Sequence, residues 1–220
     1  DNYSQLRSLS KAPTFALTYQ GTFITLMNNC GFSKEMAKQI ESRYHELYVV
    51  SDKWVADKLD KASKDGYITC AFGLRVRTPL LHQVVRSTRV TPYEAEAEGR
   101  TAGNALGQSW CLLNSRAGSE FMKKVRASSH RLDIRPSAQI HDAQYYMVRD
   151  NIEKVQYVNK HLVKAIQWQD HPDIVHPDVK LTGKVGIFYP TWGQELTIPN
   201  DASNDEIYKL TEEHYLKYAP

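Results

Sequence analysis

Four side chains near the start of the chain recur at every fourth position and combine two cations with two aromatic rings. They are Arg7, Lys11, Phe15 and Tyr19. On an α-helix, four residues turn the chain by about 400°, so these side chains are predicted to form one slowly drifting stripe. Arg offers a planar fork of donors and Lys a point charge, and both bind phosphate groups. With Phe15 packed on a sugar and Tyr19 beside a base, this basic–aromatic stripe matches the length of a nucleoside triphosphate.

Two features qualify this interpretation of the stripe. The same spacing is typical of an ordinary amphipathic helix, and the residues alone leave that alternative open. In addition, Pro13 lies inside the pattern, cannot donate to the carbonyl of Leu9 and disfavours helix at Ala12. We therefore expect either a kink at Pro13 or a helix that begins near it, with Lys11 on the approach.

Three polar side chains in the middle of the chain have the same spacing. Arg100, Asn104 and Gln108, here called the polar triplet, are predicted to lie on one helix face. Arg, Asn and Gln can donate to the acceptors that every base pair presents in the minor groove, and such contacts sense duplex geometry rather than sequence. A solvated helix face beside two glycines is the simpler alternative.

A short string at residues 139–143 reads Gln-Ile-His-Asp-Ala. It places His141 and Asp142, here called the His-Asp turn, between two runs that alternate like strands. A carboxylate there suits Mg²⁺, which takes one or two carboxylates together with substrate phosphates. An ordinary exposed turn is one alternative, since Asp favours turns. A His-Asp metal-dependent hydrolase is another, but the His-Pro-Asp repeats at 171–178 that would supply its further ligands are interpreted as turns around prolines.

Hydrophobic periodicity and turn residues predict the elements that must position these groups. Helices come first, and strands mixed with helices come later, which indicates an α+β fold. The helix that begins near residue 12 is predicted to end at Gly31, and Ser33 is predicted to cap the next one. Predicted elements are helices at 12–30, 94–126, 152–168 and 205–218, a helical region at 33–62 in which a break is allowed, a hairpin at 67–77, another at 134–148 and a strand at 184–189. The helical region at 94–126 is predicted to be weak at 99–103 and at Gly118.

The composition places few limits on function. A chain of 220 residues can form one or two domains, and a net charge of +3 does not by itself indicate nucleic acid. Cys30, Cys70 and Cys111 form no CxxC pair and fit a reducing compartment. No apolar run approaches the roughly 18 residues of a membrane span, and no signal peptide is visible, so no membrane partner is expected. Because the chain opens on Asp1 rather than Met, we expect a fragment, a processed product or a trimmed chain.

Taken in this order, the three constellations resemble the C-terminal part of a family A (Pol I-like) DNA polymerase from a bacteriophage branch. The basic–aromatic stripe resembles the fingers motif R-x3-K-x3-F-x3-Y-G, and the polar triplet resembles the minor-groove element R-x3-N-x3-Q. Residues 139–143 resemble the palm motif Q-V-H-D-E, and residues 73–77 are a weaker match to a G-R-R-R turn. Gln20 stands where the family has Gly, and Ala143 replaces the second acid of the palm motif.

The resemblance implies a right-hand polymerase fold. Residues 1–95 would form a helical fingers subdomain, with the dNTP-binding helix at about 7–30, and residues 96–220 the C-terminal part of an antiparallel-sheet palm. The implied activity is template-directed DNA synthesis, in which a nucleotidyl group passes from dNTP to a primer 3′-hydroxyl. The stripe would bind the dNTP, and the polar triplet, Arg75 and Arg77 would bind DNA. These clusters would converge around a single cleft, in the cytoplasm of a host cell if the gene belongs to a phage.

Catalysis by the family implies two Mg²⁺ ions. Asp142 would be one ligand of these ions, His141 would touch the primer-terminal nucleotide, and Lys11 would act in catalysis beside the phosphates. The family's other catalytic Asp belongs to a D-x-S-Q-x-E strand, and residues 1–5 lie too close to Arg7 to supply it. We therefore expect the chain alone to be inactive and to require a complementary fragment that carries the second Asp and the thumb. A non-catalytic remnant that binds DNA or nucleotide is the alternative.

Overall fold

The structure, a computed structural model, describes residues 2–84 and 91–218, apart from the side chain of Asn2. It consists of two compact units, Asp1–Trp110 and Cys111–Pro220, and each is described by itself. These units are defined by how closely their residues pack and not by function. They therefore do not test the predicted boundary between subdomains at residue 95, which stays a prediction.

The first unit begins with four helices. These are α1 (Asn2–Thr18), α2 (Phe23–Cys30), α3 (Lys34–Leu47) and α4 (Val49–Asp65). The predicted end of α2 is confirmed, because Gly31 takes the left-handed conformation of a C-cap with φ 71°. The predicted cap of α3 is confirmed as well, since the Ser33 hydroxyl accepts a hydrogen bond from the Met36 amide.

Helix α1 differs from the prediction at both ends. Of the two alternatives for Pro13, a helix that begins near it is wrong, because the residues before it are already helical and Lys11 lies within α1. The carbonyl that Pro13 leaves without a donor belongs to Leu9, a residue 72% exposed, so water can satisfy it. The predicted single helix at 12–30 is also wrong, because α1 ends at Thr18 and α2 starts only at Phe23.

The rest of the first unit is a small hairpin and a long helix. Strands β1 (Tyr67–Thr69) and β2 (Arg75–Arg77) pair antiparallel, as predicted, and α5 spans Tyr93–Gln108. One apolar cluster joins the hairpin to α4 and α5. Its buried members are Leu59, Ala62, Ile68, Cys70, Leu81, Ala102 and Leu106.

The second unit contains two more hairpins and three helices. They are α6 (Leu112–Arg126), β3 (Ile134–Ile140), β4 (Ala143–Val148), α7 (Ile152–Ile166), β5 (Val185–Phe188), β6 (Glu195–Ile198) and α8 (Asn204–Tyr218). The predicted hairpin at 134–148 is confirmed, and strand β6 is an element that the sequence did not reveal. One core lies under β3 and β4, and a second lies under α8. Their buried members are Phe121, Val125, Ile134, Val158 and Leu162 in the first, and Ile198, Ala202 and Ile207 in the second.

The predicted weak points at 99–103 and at Gly118 are wrong. Helix α5 runs through 99–103 and α6 runs through Gly118, and the two helices are separated instead by a 3-10 turn at Ser109–Cys111. The glycines serve close approach rather than helix termination. Gly99, for example, is buried, and a Cβ there would lie 3.7 Å from Leu81 Cδ1.

All three cysteines are free thiols, in agreement with the absence of a disulfide pattern in the sequence. Cys70 is buried, and burial raises the pKa of its thiol. Within residues 2–84 and 91–218, none of the helices combines the length and apolar character that crossing a bilayer requires.

Candidate functional site

The basic–aromatic stripe lies along α1 and just beyond its end. Arg7, Lys11 and Phe15 are exposed residues of the helix, and Tyr19 is the first residue after it. The rings of Phe15 and Tyr19 stack almost in parallel, with centroids 6.5 Å apart and an angle of 13° between their planes. The aromatic half of the stripe therefore forms one continuous exposed face.

The cationic half of the stripe faces solvent. Among the residues that the structure describes, no ion pair involves the Arg7 guanidinium or the Lys11 ammonium group. Exposed cations without a carboxylate partner can bind phosphates at little desolvation cost. This pair of side chains therefore has the chemistry that a triphosphate requires.

A tight turn after α1 fixes the direction of Tyr19. Gln20 has φ 65°, in the left-handed region, and the Gly21 amide donates to the Ala16 carbonyl at 2.8 Å. The left-handed region favours glycine, which explains why a glycine after the tyrosine suits this backbone and makes Gln20 a strained substitute. A Cβ on Gly21 would lie 2.5 Å from the Ala16 carbonyl oxygen, so only glycine fits the next position.

This turn packs against α5. A Cβ on Gly107 would lie 3.7 Å from Tyr19 Cε1, and a Cβ on Gly103 would lie 3.5 Å from Gln20 Cγ. The two glycines leave room for the side chains of the turn on the surface of α5. The aromatic end of the stripe and the helix that carries the polar triplet are thus brought together within the first unit, 80 or more residues apart in the chain.

The polar triplet presents two exposed side chains and one half-buried one. The Arg100 guanidinium lies 5.5 Å from the centre of the Tyr93 ring, and Gln108 is exposed. Asn104 Oδ1 is buried and has no hydrogen-bond partner among the described residues. Burying an acceptor without a partner costs about 1–3 kcal/mol, so Asn104 is a costly residue to hold at this place in α5.

The two arginines of β2 lie on the solvent side of the first hairpin. Arg75 and Arg77 are exposed, and the Arg75 guanidinium stacks 4.5 Å above the Tyr67 ring. Stacking limits the freedom of that cation while its donors remain accessible.

In the second unit, the His-Asp turn joins β3 to β4 through two residues. Ile140 pairs with Ala143 across the hairpin, which leaves His141 and Asp142 as the loop. His141 has φ 53°, an uncommon conformation that His adopts more readily than most residues. Both side chains of the loop are exposed, and no hydrogen bond or ion pair within the described residues engages the Asp142 carboxylate.

Polar side chains that the sequence did not reveal hold this hairpin on α6. Gln139 Nε2 donates to Ser115 Oγ at 2.9 Å, and Gln144 Nε2 donates to Asn114 Oδ1 at 2.8 Å and also to the Asn114 carbonyl. Ser115 and Asn114 both lie on α6. The hairpin is therefore anchored to the helix from both of its strands, immediately beside the turn.

A partly buried tyrosine and a glycine complete this anchor. The Tyr146 hydroxyl donates to Gln144 Oε1, and burial raises the Tyr146 pKa to about 12, so the hydroxyl stays protonated at neutral pH. Gly118 on α6 leaves space for the Gln144 amide, since a Cβ there would lie 2.5 Å from Gln144 Oε1. No local pattern could have indicated this network, because its members come from two separate segments.

A metal ion requires more ligands than the turn itself supplies. In the part of the chain that the structure describes, no three His, Cys, Asp or Glu side chains are grouped to hold a metal ion. The exposed Asp142 carboxylate suits Mg²⁺, which binds through one or two carboxylates with substrate phosphates and waters completing its shell. Asp142 therefore fits a Mg²⁺ site as one ligand, and the other ligands would have to come from elsewhere.

The two His-Pro-Asp repeats lie in a loop, as the sequence predicted, the first as a turn and the second as a bend. His171 Nδ1 accepts a hydrogen bond from the Asp173 amide at 3.2 Å, and His176 Nδ1 accepts one from the Asp178 amide at 3.1 Å. Each imidazole thus caps the backbone two residues further along the chain.

The fold, small antiparallel hairpins packed on long helices, is that of part of a polymerase domain. A profile of DNA polymerase family A matches residues 2–194, so the chain belongs to that family, as its motifs predicted. It is similar to the POL domain of Pol1 from M. smegmatis, solved in complex with DNA primer-template and dNTP, with a TM-score of 0.60 and 26% identity. The match covers 80% of this chain and 29% of that one, so this chain spans under a third of its length. Comparison with curated proteins gave no match.

The comparisons also confirm the predicted fold class. The mixture of helices with small antiparallel sheets agrees with a polymerase-domain fold. The roles of the individual site residues stay predictions, as does a bacteriophage origin.

Proposed function

We propose that the chain provides the nucleotide-binding and part of the DNA-binding surface for template-directed DNA synthesis. The observation that carries this proposal is the packing of Tyr19 against Gly107. It places the aromatic end of the basic–aromatic stripe on the helix of the polar triplet. Membership of family A supports the same reaction, and the M. smegmatis neighbour was solved with primer-template and dNTP.

The basic–aromatic stripe binds the dNTP in this proposal. Arg7 and Lys11 offset the charge that develops on the leaving phosphates, and fixed cations stabilise such charge strongly where water is excluded. Phe15 packs on the sugar, and Tyr19 lies beside the nascent base pair. The near-parallel rings, 6.5 Å apart, give this half of the stripe a fixed apolar surface for the nucleoside.

The polar triplet binds the minor groove of the primer–template duplex. Gln108 and Arg100 are exposed donors, and the half-buried Asn104 lies between them, one helical turn from each, on the same helix. Arg75 and Arg77 add phosphate contacts, and His141 touches the primer-terminal nucleotide. Phosphate contacts position DNA without reading its sequence, as a general polymerase requires.

Asp142 would be this chain's ligand to the two Mg²⁺ ions of the complete enzyme. The bound metal would supply activation of the primer hydroxyl and stabilisation of the leaving pyrophosphate. Asp142 holds its carboxylate clear of the fold on a two-residue loop, and Ala143 offers no second acid. We therefore propose that the 220 residues alone do not extend primers and that a complementary segment supplies another Asp and the thumb. A cytoplasmic location stays a prediction.

Equilibrium binding tests the proposed function directly. A fluorescent primer–template would be titrated with the chain, with and without the dNTP that pairs with the next template base. We expect Gln108→Ala to weaken duplex binding, while Lys11→Ala leaves duplex binding intact but removes any tightening by dNTP. Duplex affinity that is unaffected by Gln108→Ala would contradict the placement of DNA on α5.

A non-catalytic binding remnant is the second candidate, and the single carboxylate at the turn favours it. Primer extension by the chain mixed with a segment that carries the second Asp separates the two functions. Extension only in the mixture supports a polymerase component. Binding without extension in every mixture supports the remnant, and robust extension by the chain alone would contradict the need for a partner.

A further inference from the structure

The turn between β1 and β2 holds a residue that its backbone disfavours. Phe72 and Gly73 have φ of 55° and 77°, and the Leu74 amide donates to the Ala71 carbonyl at 3.1 Å. This is the pattern of a type I′ turn, whose two central positions prefer Asn-Gly or Asp-Gly. Gly73 satisfies that preference. Phe72 does not, because a bulky side chain in the left-handed region is sterically strained.

The Phe72 ring lies at the surface beside a second aromatic ring. Phe72 is 41% exposed, and its ring centroid lies 5.7 Å from that of Trp110 in an edge-to-face arrangement. Ser109 fixes this pair, because its buried hydroxyl accepts from the Ala71 amide at 3.0 Å and donates to the Leu106 carbonyl at 2.9 Å. The turn is thereby tied to the end of α5, and the exposed part of the Phe72 ring has a defined place.

The outer face of the same hairpin is basic. Cross-strand pairing joins Tyr67 with Arg77 and Thr69 with Arg75, so these four side chains share one face. The opposite face carries Ile68, which is buried in the core of the first unit. Both guanidinium groups are therefore displayed on the solvent side of a hairpin whose tip is an exposed aromatic residue.

We propose that this hairpin binds unpaired nucleotides, with Phe72 stacked on a base and with Arg75 and Arg77 on the adjoining phosphates. Aromatic faces beside cations are the usual combination for single-stranded nucleic acid, because every base offers a face and every link a charge. In a duplex the faces of the bases are already covered by their neighbours. The inference rests on the proposed function and extends it from the primer duplex to the single-stranded template.

The strain at Phe72 provides an unusually clean substitution. Phe72→Asn removes the ring and restores the Asn-Gly pair that a type I′ turn prefers. We therefore expect the melting temperature of the 220-residue chain to be unchanged or higher. If the ring served only to pack against Trp110, the same substitution would lower the melting temperature and leave nucleic-acid binding unchanged, which would overturn the inference.

Fluorescence anisotropy measures the binding side of the test. The probes are a primer–template with a 5′ overhang of thymidines, the blunt duplex of the same sequence, and an isolated thymidine oligonucleotide. Loss of one base stack is expected to weaken binding about 5- to 150-fold. We expect Phe72→Asn to weaken binding of the overhang DNA and the oligonucleotide within this range and to leave blunt-duplex binding unchanged.

Two further variants act as controls. Phe72→Trp keeps a stacking ring and should retain the overhang affinity. Trp54→Ala removes an exposed ring elsewhere in the same unit, 44% exposed on α4, and should change none of the three affinities. Equal weakening of blunt and overhang DNA by Phe72→Asn would also overturn the inference.

The oligonucleotide arm separates this inference from the proposed function. If the chain failed to bind the blunt duplex at all, the proposed placement of primer–template DNA would be contradicted. Binding of the oligonucleotide would still test whether the hairpin binds unpaired nucleotides. An oligonucleotide affinity that is the same with Phe72 and with Asn at this position contradicts the inference by itself.

Discussion

The Tyr19 ring lies beside Gly107, so close that a Cβ on this glycine would be 3.7 Å from Tyr19 Cε1. The tyrosine ends the basic–aromatic stripe, and the glycine directly precedes the last member of the polar triplet, Gln108. A side chain larger than alanine at position 107 would push the ring away. The contact therefore couples the position of the proposed dNTP-binding stripe to the position of the proposed DNA-binding triplet.

The turn at Gln20 and Gly21 controls this contact, which leads to a first prediction. Gly21→Ala would bring a Cβ within 2.5 Å of the rigid Ala16 carbonyl oxygen. We expect the free energy of unfolding to fall by about 1–3 kcal/mol, because the backbone must shift to remove the overlap. Chemical denaturation followed by circular dichroism measures this change.

Gly103→Ala is the matched control for that substitution. Its Cβ would meet nothing closer than 3.5 Å, an ordinary contact with Gln20 Cγ, and alanine favours a helix interior. We expect a stability equal to or above that of the parent chain. A loss as large as that of Gly21→Ala would mean that α5 and the turn are packed more tightly than the structure shows.

Gly118 gives a second prediction, on the anchor of the His-Asp turn. Gly118→Ala would overlap Gln144 Oε1 at 2.5 Å and displace the amide from Asn114. Loss of these hydrogen bonds should lower the free energy of unfolding by about 1–3 kcal/mol. In the background of Gln144→Ala the same substitution should cost much less, and a double-mutant cycle measures the difference. Additive effects would show that the two residues do not interact.

A third prediction concerns the dependence of stability on pH. Burial lowers the pKa of His161, and Lys124, Lys160, Lys164 and His130 lower it further by repelling the imidazolium form. The unfolded chain therefore takes up this proton more readily than the folded chain. The stability that His161 contributes is complete above its unfolded pKa of about 6.5, and it is lost as the pH falls from there through the folded value.

Urea unfolding at pH values between 7.5 and 5 measures this dependence. We expect His161→Gln to flatten the decline in stability below pH 6.5, since glutamine carries no titrating proton. Trp54→Ala is the control, because this exposed side chain carries no titrating group and its removal should leave the slope unchanged. An unchanged slope in His161→Gln would exclude the repulsion described above as a source of acid sensitivity.

The fourth prediction separates catalysis from folding at the His-Asp turn. Asp142 is exposed and forms no ion pair among the described residues, so Asp142→Asn should leave the melting temperature unchanged. In the mixture with the complementary segment, the same change should abolish primer extension, because an amide is a poor ligand for Mg²⁺. Asp150→Asn, at another exposed site, should extend primers normally. Normal extension by Asp142→Asn would show that Asp142 is not the metal ligand.

Local chemistry explains what the sequence predicted correctly. Gly31, Ser33 and the His-Asp turn each specify a cap or a loop through the conformations of one to three residues, and all lie where they were expected. Alternating residues similarly specified the hairpin at 134–148. The motif spacings indicated the polymerase family because the residues of each motif lie close together in the sequence, within one local part of the fold.

Contacts between distant segments explain what the sequence could not predict. Gly99, Gly103 and Gly118 indicated weak helices by propensity, but packing decides their role, since each lies where another side chain comes close. The same holds for Asn114 and Gln144, whose hydrogen bond joins a helix to a strand. The chain alone determined which groups are available and how each is spaced along its own element. Only the tertiary structure decided which groups meet. A glycine in the sequence shows that a side chain is missing at that position, but it does not show which distant residue occupies the space.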